Sequence, residues 1–276
     1  MFMFVAAALD SLPVPVRELA ITVCAWVQVA VSIKQRRNVE KNLSGIGVEA
    51  SRRTVLGIFR NHTRNIVEMF TVSRRTVEEI QRGMTARGLD VLDAELAAGR
   101  GVILVTAHVG NWEFGALYLG SLGYRLHAVT GVQMNRLLTG ALRDIKERNG
   151  IMVVNPKHSY RKLFRALEKN GVVALLVDGD IFLEGAVINF FDKRIPLPTG
   201  AVRLARRTGA SIVGVCCWNL GREDHLIHIE RIVAGDEIAE LTDAQALGRV
   251  YATAERFIRS NYEQWCIFRD FWGECH

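Results

Sequence analysis

From residue 101 onward, short apolar runs typical of buried strands alternate with segments of helical periodicity. The predicted strands lie at residues 102–106, 125–129, 151–154, 172–177, 211–217 and 225–230. The predicted helices lie near 111–122, 136–148, 159–170, 199–208 and 243–260, and an earlier one covers much of 50–82. Parallel strands need crossover connections and are buried on both faces. The order therefore predicts an α/β fold with a mostly parallel central sheet flanked by helices.

The first 37 residues differ in composition from the rest of the chain. Residues 1–9 are apolar, residues 19–33 carry no charge, and the basic stretch Lys34-Gln-Arg36-Arg37 follows. Neither apolar run reaches the roughly 20 residues that span a bilayer, and no signal-peptide pattern is evident. We therefore predict two units: an apolar, amphipathic helical membrane-associating segment at 1–37 and an α/β domain at 38–276.

The positive charge of the chain is concentrated near this segment. The whole chain has a net charge of +6, whereas residues 34–87 hold 12 Lys/Arg and 5 Asp/Glu, a local excess of 7 positive charges. No zinc-finger or RNA-binding signature accompanies these residues, so nucleic acid is not an expected partner. An anionic membrane surface or an acidic carrier protein is the expected partner, and a solvated helical face is the alternative.

Motifs that would indicate other chemistry are missing from the sequence. It has no G-x-S-x-G elbow, H-E-x-x-H motif, P-loop or G-x-G-x-x-G fingerprint. The cysteines form no C-x-x-C pair and no metal-ligand spacing; they are Cys24, Cys216, Cys217, Cys266 and Cys275. We therefore expect reduced thiols and neither a bound metal nor a cofactor.

The segment Val102-Ile-Leu-Val-Thr-Ala-His108-Val-Gly-Asn-Trp-Glu113 places a histidine where a buried strand ends and a helix begins. Asn111 is a suitable N-cap, and Glu113 would then lie in the first helical turn. If His108 lies in a turn that Gly110 permits, Glu113 can hydrogen-bond one ring nitrogen and leave the other free as a general base. A histidine that only caps the helix is the alternative.

His108-Val-Gly-Asn-Trp-Glu113 resembles the H-x4-[DE] signature of glycerolipid and lipid A acyltransferases, in the form typical of the lipid A biosynthesis (lauroyl/myristoyl) acyltransferases. Similar segments follow in the same order, so the resemblance spans about residues 35–272. They are the strand before Asp178, Val187-Ile-Asn-Phe190-Phe191, Pro198-Thr-Gly200, Glu263-Gln-Trp265 and Arg269-Asp-Phe-Trp272.

The resemblance implies an O-acyltransferase that moves a fatty acyl chain from acyl carrier protein or coenzyme A to a hydroxyl of a membrane glycolipid. The expected acceptor is a lipid A precursor for lipopolysaccharide. It implies that His108 is the base and Glu113 its orienting partner. It also implies a substrate-binding set of Asn111, Arg136, Asp178 and Gly200. Arg136 would hold a phosphate, and amides after Asn111 would stabilise an oxyanion. The expected location is the cytoplasmic face of the bacterial inner membrane, as a peripheral or monotopic protein.

Three alternatives remain open from the sequence. The acceptor can be an inositol-mannoside or ornithine-type lipid, although such relatives often carry Asp where Glu113 stands. Asp178-Gly179-Asp180 follows a strand and could hold a divalent metal, as in glycosyltransferases. The basic segment could also belong to a membrane-binding protein without catalytic activity.

Overall fold

The computed structural model describes residues 12–72, 75–129, 136–154, 159–179, 185–221 and 223–273. The α-helices of this part of the chain are α1 Val14–Val31, α2 Ile33–Gly45, α3 Arg52–Thr71, α4 Val77–Arg82, α5 Leu89–Ala97, α6 Trp112–Ser121, α7 Arg136–Arg148, α8 Ser159–Glu168, α9 Gly200–Thr208 and α10 Asp243–Ser260. The strands are β1 Met84–Arg87, β2 Val102–Thr106, β3 Leu126–Val129, β4 Ile151–Val154, β5 Val172–Leu176, β6 Ala186–Phe190, β7 Lys193–Leu197, β8 Ser211–Gly221 and β9 Asp224–Val233.

Seven strands form one sheet in the order β1-β9-β8-β2-β5-β3-β4. Every pairing in it is parallel except that of β8 with β9, so the predicted mostly parallel α/β fold is confirmed. β2 lies in the middle, between β8 and β5, and its residues Val102–Val105 are buried. A strand covered on both faces must be apolar at every position, which explains its unbroken run of Val, Ile and Leu.

Several short elements were not predicted from the sequence. β1 and α5 fall between the predicted helical region and β2, and the antiparallel hairpin of β6 and β7 precedes α9. β1 follows Gly83 and joins the sheet only at its edge, beside β9. Its four residues alternate between partly buried and exposed positions, so they leave no apolar run for sequence analysis to detect.

Helix α1 packs one face on the α/β domain and leaves the other exposed. Ile21 and Ala25 are buried, Gln28 donates to the Thr63 hydroxyl at 3.0 Å, and Glu18 forms an ion pair with Arg64 of α3. Large apolar side chains of α1 and its flanks are exposed: Leu12, Val16, Leu19, Val23, Trp26, Val27, Val31 and Ile33. Within the described ranges, α1 alone is long and apolar enough to cross a membrane by length and composition. The predicted boundary at residue 37 falls inside α2 and stays a prediction.

Candidate active site

The candidate site lies where two neighbouring parallel strands end. β2 pairs with β5 from Val102 and Val172 to Thr106 and Leu176. His108 and Asp178 each come two residues after the last residue of their strand. Because the carboxyl ends of parallel strands meet at one edge of a sheet, the two side chains are brought together there, as is usual for sites of open α/β sheets.

His108 is held by a buried carboxylate. Its ring Nδ1 lies 2.7 Å from Oδ1 of Asp178, and its backbone N–H donates to Oδ2 at 2.8 Å. The indole Nε1–H of Trp265 also donates to Oδ2, at 2.9 Å. The Asp178 side chain is 0% exposed, whereas that of His108 is 27% exposed. The carboxylate is thus enclosed by protein donors, and the imidazole reaches the surface.

The charge state of Asp178 fixes the tautomer of His108. Burial alone would raise the pKa of Asp178, but attraction to His108 and the hydrogen bonds from His108 and Trp265 outweigh it, so the pKa lies below its ordinary value. An ionised carboxylate can only accept hydrogen bonds, so Nδ1 carries the proton and donates. Nε2 of the neutral ring then keeps a lone pair, which is what a general base requires.

Glu113 does not have the predicted partner. Its carboxylate binds Nζ of Lys146 on α7 at 2.8 Å, and its predicted hydrogen bond to His108 is not formed. The physical reason is that the Lys146 side chain is only 6% exposed and needs a counter-charge, which Glu113 supplies from the first turn of α6. The structure therefore corrects the predicted pairing: Asp178 orients His108, and Glu113 joins α6 to α7.

The turn between β2 and α6 has the predicted form. Gly110 has φ +72°, and a Cβ there would lie 2.0 Å from the carbonyl oxygen of Cys217, so only glycine fits. Asn111 is the N-cap of α6, as predicted, because its Oδ1 accepts from the backbone N–H of Phe114 at 3.0 Å. The ring of Trp112 packs edge-on against His108, with the centroids 4.9 Å apart.

The other predicted site residues lie apart from this pair or outside the described part. Arg136 begins α7, but its side chain is not described, and Asp180 lies outside the described residues. Gly200 begins α9 two residues after Pro198, whose carbonyl oxygen lies 2.6 Å from the Tyr251 hydroxyl. The same hydroxyl lies 3.2 Å from the Val177 carbonyl oxygen, so the turn before Gly200 is tied to the strand end at Asp178.

Two residues of the site had no role assigned from sequence: Trp265, which binds Asp178, and Lys146, which binds Glu113. No sequence signal marks a partner from a distant segment. Asp178 was predicted as a substrate-binding residue, and the sequence analysis missed only its pairing with His108. That pairing could have been predicted, because Asp178 occupies the same position after β5 that His108 occupies after β2.

Two features of the described residues bear on other kinds of chemistry at this site. Burial, with a smaller contribution from Asp178, raises the pKa of the Cys266 thiol to about 12, so it stays protonated and is a poor nucleophile. Both oxygens of Asp178 already accept protein hydrogen bonds, which a metal would have to displace. Among the residues with described positions, no three His, Cys, Asp or Glu side chains cluster as metal ligands.

The fold and the site define an α/β protein with a histidine–carboxylate pair at the carboxyl edge of its sheet. The family model for bacterial lipid A biosynthesis acyltransferases matches residues 1–273, and the chain therefore belongs to that family.

The chain is also similar, at 29% sequence identity or less, to two curated relatives and to one solved structure. It is 29% identical over 172 residues to a phosphatidylinositol mannoside acyltransferase of Mycobacterium tuberculosis, covering 59% of this chain and 53% of that protein. A phosphatidylinositol mannoside acyltransferase of Mycolicibacterium smegmatis is 26% identical over 148 residues, 50% of this chain and 49% of that protein. The chain thus spans about half the length of these relatives. A crystal structure of the 1-acyl-sn-glycerophosphate acyltransferase PlsC from Thermotoga maritima matches with a TM-score of 0.39 and 15% identity, covering 92% of this chain and 99% of that one.

Proposed function

We propose that the protein is an acyltransferase that moves a fatty acyl chain from an acyl thioester to a hydroxyl of a membrane glycolipid. The observation that carries the proposal is the His108–Asp178 pair, in which a buried ionised carboxylate orients a half-buried imidazole. Membership of an acyltransferase family supports it independently.

In the proposed reaction, Nε2 of His108 takes the proton of the acceptor hydroxyl while that oxygen attacks the thioester carbonyl. Asp178 stabilises the imidazolium that forms, through the Nδ1–H hydrogen bond. The tetrahedral intermediate then expels the thiolate, which takes the proton back from His108, so the products are an ester and a free thiol. General-base catalysis of this kind contributes about 10²–10⁴-fold to the rate.

The start of α6 offers donors for the developing oxyanion. Asn111 Oδ1 takes the N–H of Phe114, and the N–H groups of Trp112 and Glu113 are the other amides of the first turn. The N–H groups of Trp112 and Glu113 follow His108 by four and five residues and lie at the positive end of the helix dipole. We assign these two N–H groups the role of stabilising the oxyanion. We assign no cofactor to the reaction, because acyl carrier protein or coenzyme A brings the acyl chain.

The exposed apolar face of α1 supports membrane association. Leu19, Val23 and Trp26 follow one another at helical spacing on that face, and Lys34 and Arg37 are exposed just beyond it. Because the opposite face of α1 is fixed to the domain, we propose that the helix lies in the interface of an anionic leaflet, on the cytoplasmic side of the inner membrane. Anionic vesicles should shift the fluorescence of Trp26 to shorter wavelength. No shift for the wild type, or an unchanged shift in Trp26→Phe, would refute this docking face.

Two acceptors have specific support. The family matched by residues 1–273 is described as acting in lipid A biosynthesis, which favours a lipid A precursor. The 29% identical relative is a phosphatidylinositol mannoside acyltransferase, which favours an inositol mannoside as the second candidate. Both are glycolipids with sugar hydroxyls, so the proposed chemistry at His108 is the same for either one.

In the deciding experiment, the purified protein is incubated with acyl thioesters of acyl carrier protein or of coenzyme A whose acyl chains differ in length. A lipid A precursor and a phosphatidylinositol mannoside are offered in parallel, and mass spectrometry detects the added acyl chain. We expect product from one acceptor and a loss of about 10²–10⁴-fold in His108→Ala, with circular dichroism and melting temperature close to wild type. Full turnover in His108→Ala would refute the base assignment, and no product with any pairing would refute the proposed function.

A further inference from the structure

A buried polar cluster contacts the turn that carries His108. Glu68 of α3 is 7% exposed, and its Oε2 accepts from Nδ2 of Asn111 at 2.6 Å. This contact fixes the orientation of the Asn111 amide, because the donor group faces Glu68 and Oδ1 must then face the N–H of Phe114. The carboxylate therefore determines how Asn111 caps α6, three residues after His108.

Two further contacts of the Glu68 side chain come from strands β8 and β9. Nε2 of His225, which is fully buried, lies 3.1 Å from Oε2, and Nδ2 of Asn219 donates to Oε1 at 3.1 Å. The His225 ring also stacks on Phe114, with centroids 4.3 Å apart. The first turn of α6 is thus held both through the Asn111 cap and through the Phe114 ring.

The backbone of the same turn is fixed by these elements as well. Asn65, one helical turn before Glu68 on α3, donates to the carbonyl oxygen of Gly110 at 2.7 Å. The N–H of Gly110 donates to Gln264 O at 3.0 Å, and the side chain of Gln264 binds the backbone of Asn219 at both N–H and C=O. The cluster is continuous from the interior of the protein to Gly110, two residues after the reactive histidine.

Glu68 is chemically suited to hold several donors. Burial alone would raise its pKa, but His225, Asn111 and the more distant charge of Arg64 together lower it below its ordinary value. An ionised carboxylate has enough lone pairs for Asn111, Asn219 and His225 at once. A glutamine at this position would bring an NH2 group against donors and could serve only part of the set.

We infer that Glu68 and His225 are positioning residues, which hold the turn of residues 108–111 so that Nε2 of His108 faces the acceptor hydroxyl. This inference rests on the proposed acyl transfer. Both side chains are enclosed in the protein, so neither touches substrate, and they act on the rate through Asn111 and Phe114.

The test compares Glu68→Gln with a matched control, Glu95→Gln. Glu95 is also 7% exposed, accepts from Ser211 and Arg231, and lies at the amino end of the strands, away from the site. Misplacement of reacting groups by about 1 Å costs on the order of 100-fold in rate. We expect kcat to fall about 10- to 100-fold in Glu68→Gln with KM changed less than about 2-fold. Amide hydrogen exchange at residues 108–114 should become faster. Glu95→Gln should lower the melting temperature but leave kcat and this exchange unchanged.

A second variant covers the case in which Glu68→Gln fails to fold. Asn111→Ser keeps an N-cap oxygen for Phe114 but removes the donor to Glu68, and we expect the same loss of kcat with little change in KM. If the wild type is active and both Glu68→Gln and Asn111→Ser turn over as fast as Glu95→Gln, the positioning role is overturned and the proposed function is left intact. If the wild type is inactive but amide hydrogen exchange at residues 108–114 is still faster in Glu68→Gln, only the proposed acyl transfer is overturned.

Discussion

Two histidine–carboxylate pairs contact the same turn of the protein, and they differ chiefly in exposure. His108 and Asp178 meet at the carboxyl edge of the sheet with the imidazole 27% exposed. His225 and Glu68 meet in the interior, where the imidazole is completely enclosed. In both pairs a carboxylate that is nearly or fully buried has a pKa below its ordinary value because a histidine and amide or indole donors surround it.

The difference shows that a buried carboxylate partner does not by itself distinguish a histidine with a catalytic role from one with a structural role. A buried ionised acid can orient an imidazole in either place, but only a ring nitrogen that reaches the surface can exchange a proton with a substrate. His108 leaves Nε2 for that purpose, whereas both ring nitrogens of His225 face oxygen atoms of Glu68 and Glu223.

The largest effect is expected for Asp178→Asn. Its amide can donate to Nδ1 of His108, which would move the ring proton to Nε2 and remove the base. We expect kcat to fall on the order of 10²–10⁴-fold, the range that general-base catalysis contributes, measured by acyl transfer at saturating donor and acceptor. A fall of less than about threefold would contradict the assigned pair and leave the two pairs indistinguishable in role.

The sequence predicted the part of this account that depends on local pattern. The apolar strand 102–106, the Asn111 cap and the histidine in the turn were each predicted, because cap preference and burial are properties of neighbouring residues. The parallel sheet followed from the alternation of strands and helices.

The partners of the ionisable groups could not be predicted in the same way. Glu113 was expected to bind His108 because a turn at Gly110 would let the two side chains meet, but Lys146 is buried beside Glu113 and binds its carboxylate. Asp178 is 70 residues from His108, and only the adjacency of β2 and β5 brings them together. His225 had no partner spacing in the sequence, since Glu68 lies 157 residues away.

A smaller effect is expected for Trp265→Phe. This change removes the N–H that donates to Asp178 Oδ2 at 2.9 Å but keeps an aromatic ring in contact with Phe271. Hydrogen bonds to charged groups contribute about 1.5–3 kcal/mol, so we expect the free energy of unfolding to fall by about that amount. Denaturant unfolding measures this loss, and kcat should fall only severalfold. Unchanged stability would show that Trp265 does not support Asp178.

The smallest effect concerns acid stability. Asp178 and Glu68 have lowered pKa values in the folded protein, so each contributes stability that is present above its unfolded pKa of about 4 and is lost as the pH falls through its lower folded value. Melting temperatures measured from pH 6 to pH 3 should fall for the wild type below about pH 4. The gap between the wild type and Glu68→Gln should narrow over the same range. A constant gap would contradict the assigned direction of the Glu68 shift.

The most direct test of the central claim is the proton NMR signal of the Nδ1–H of His108. A hydrogen bond of 2.7 Å to an ionised carboxylate should give a downfield imidazole signal that is missing in His108→Ala. We predict that the signal is lost or strongly shifted in Asp178→Asn and retained in Glu113→Gln. Loss in Glu113→Gln together with retention in Asp178→Asn would contradict the account.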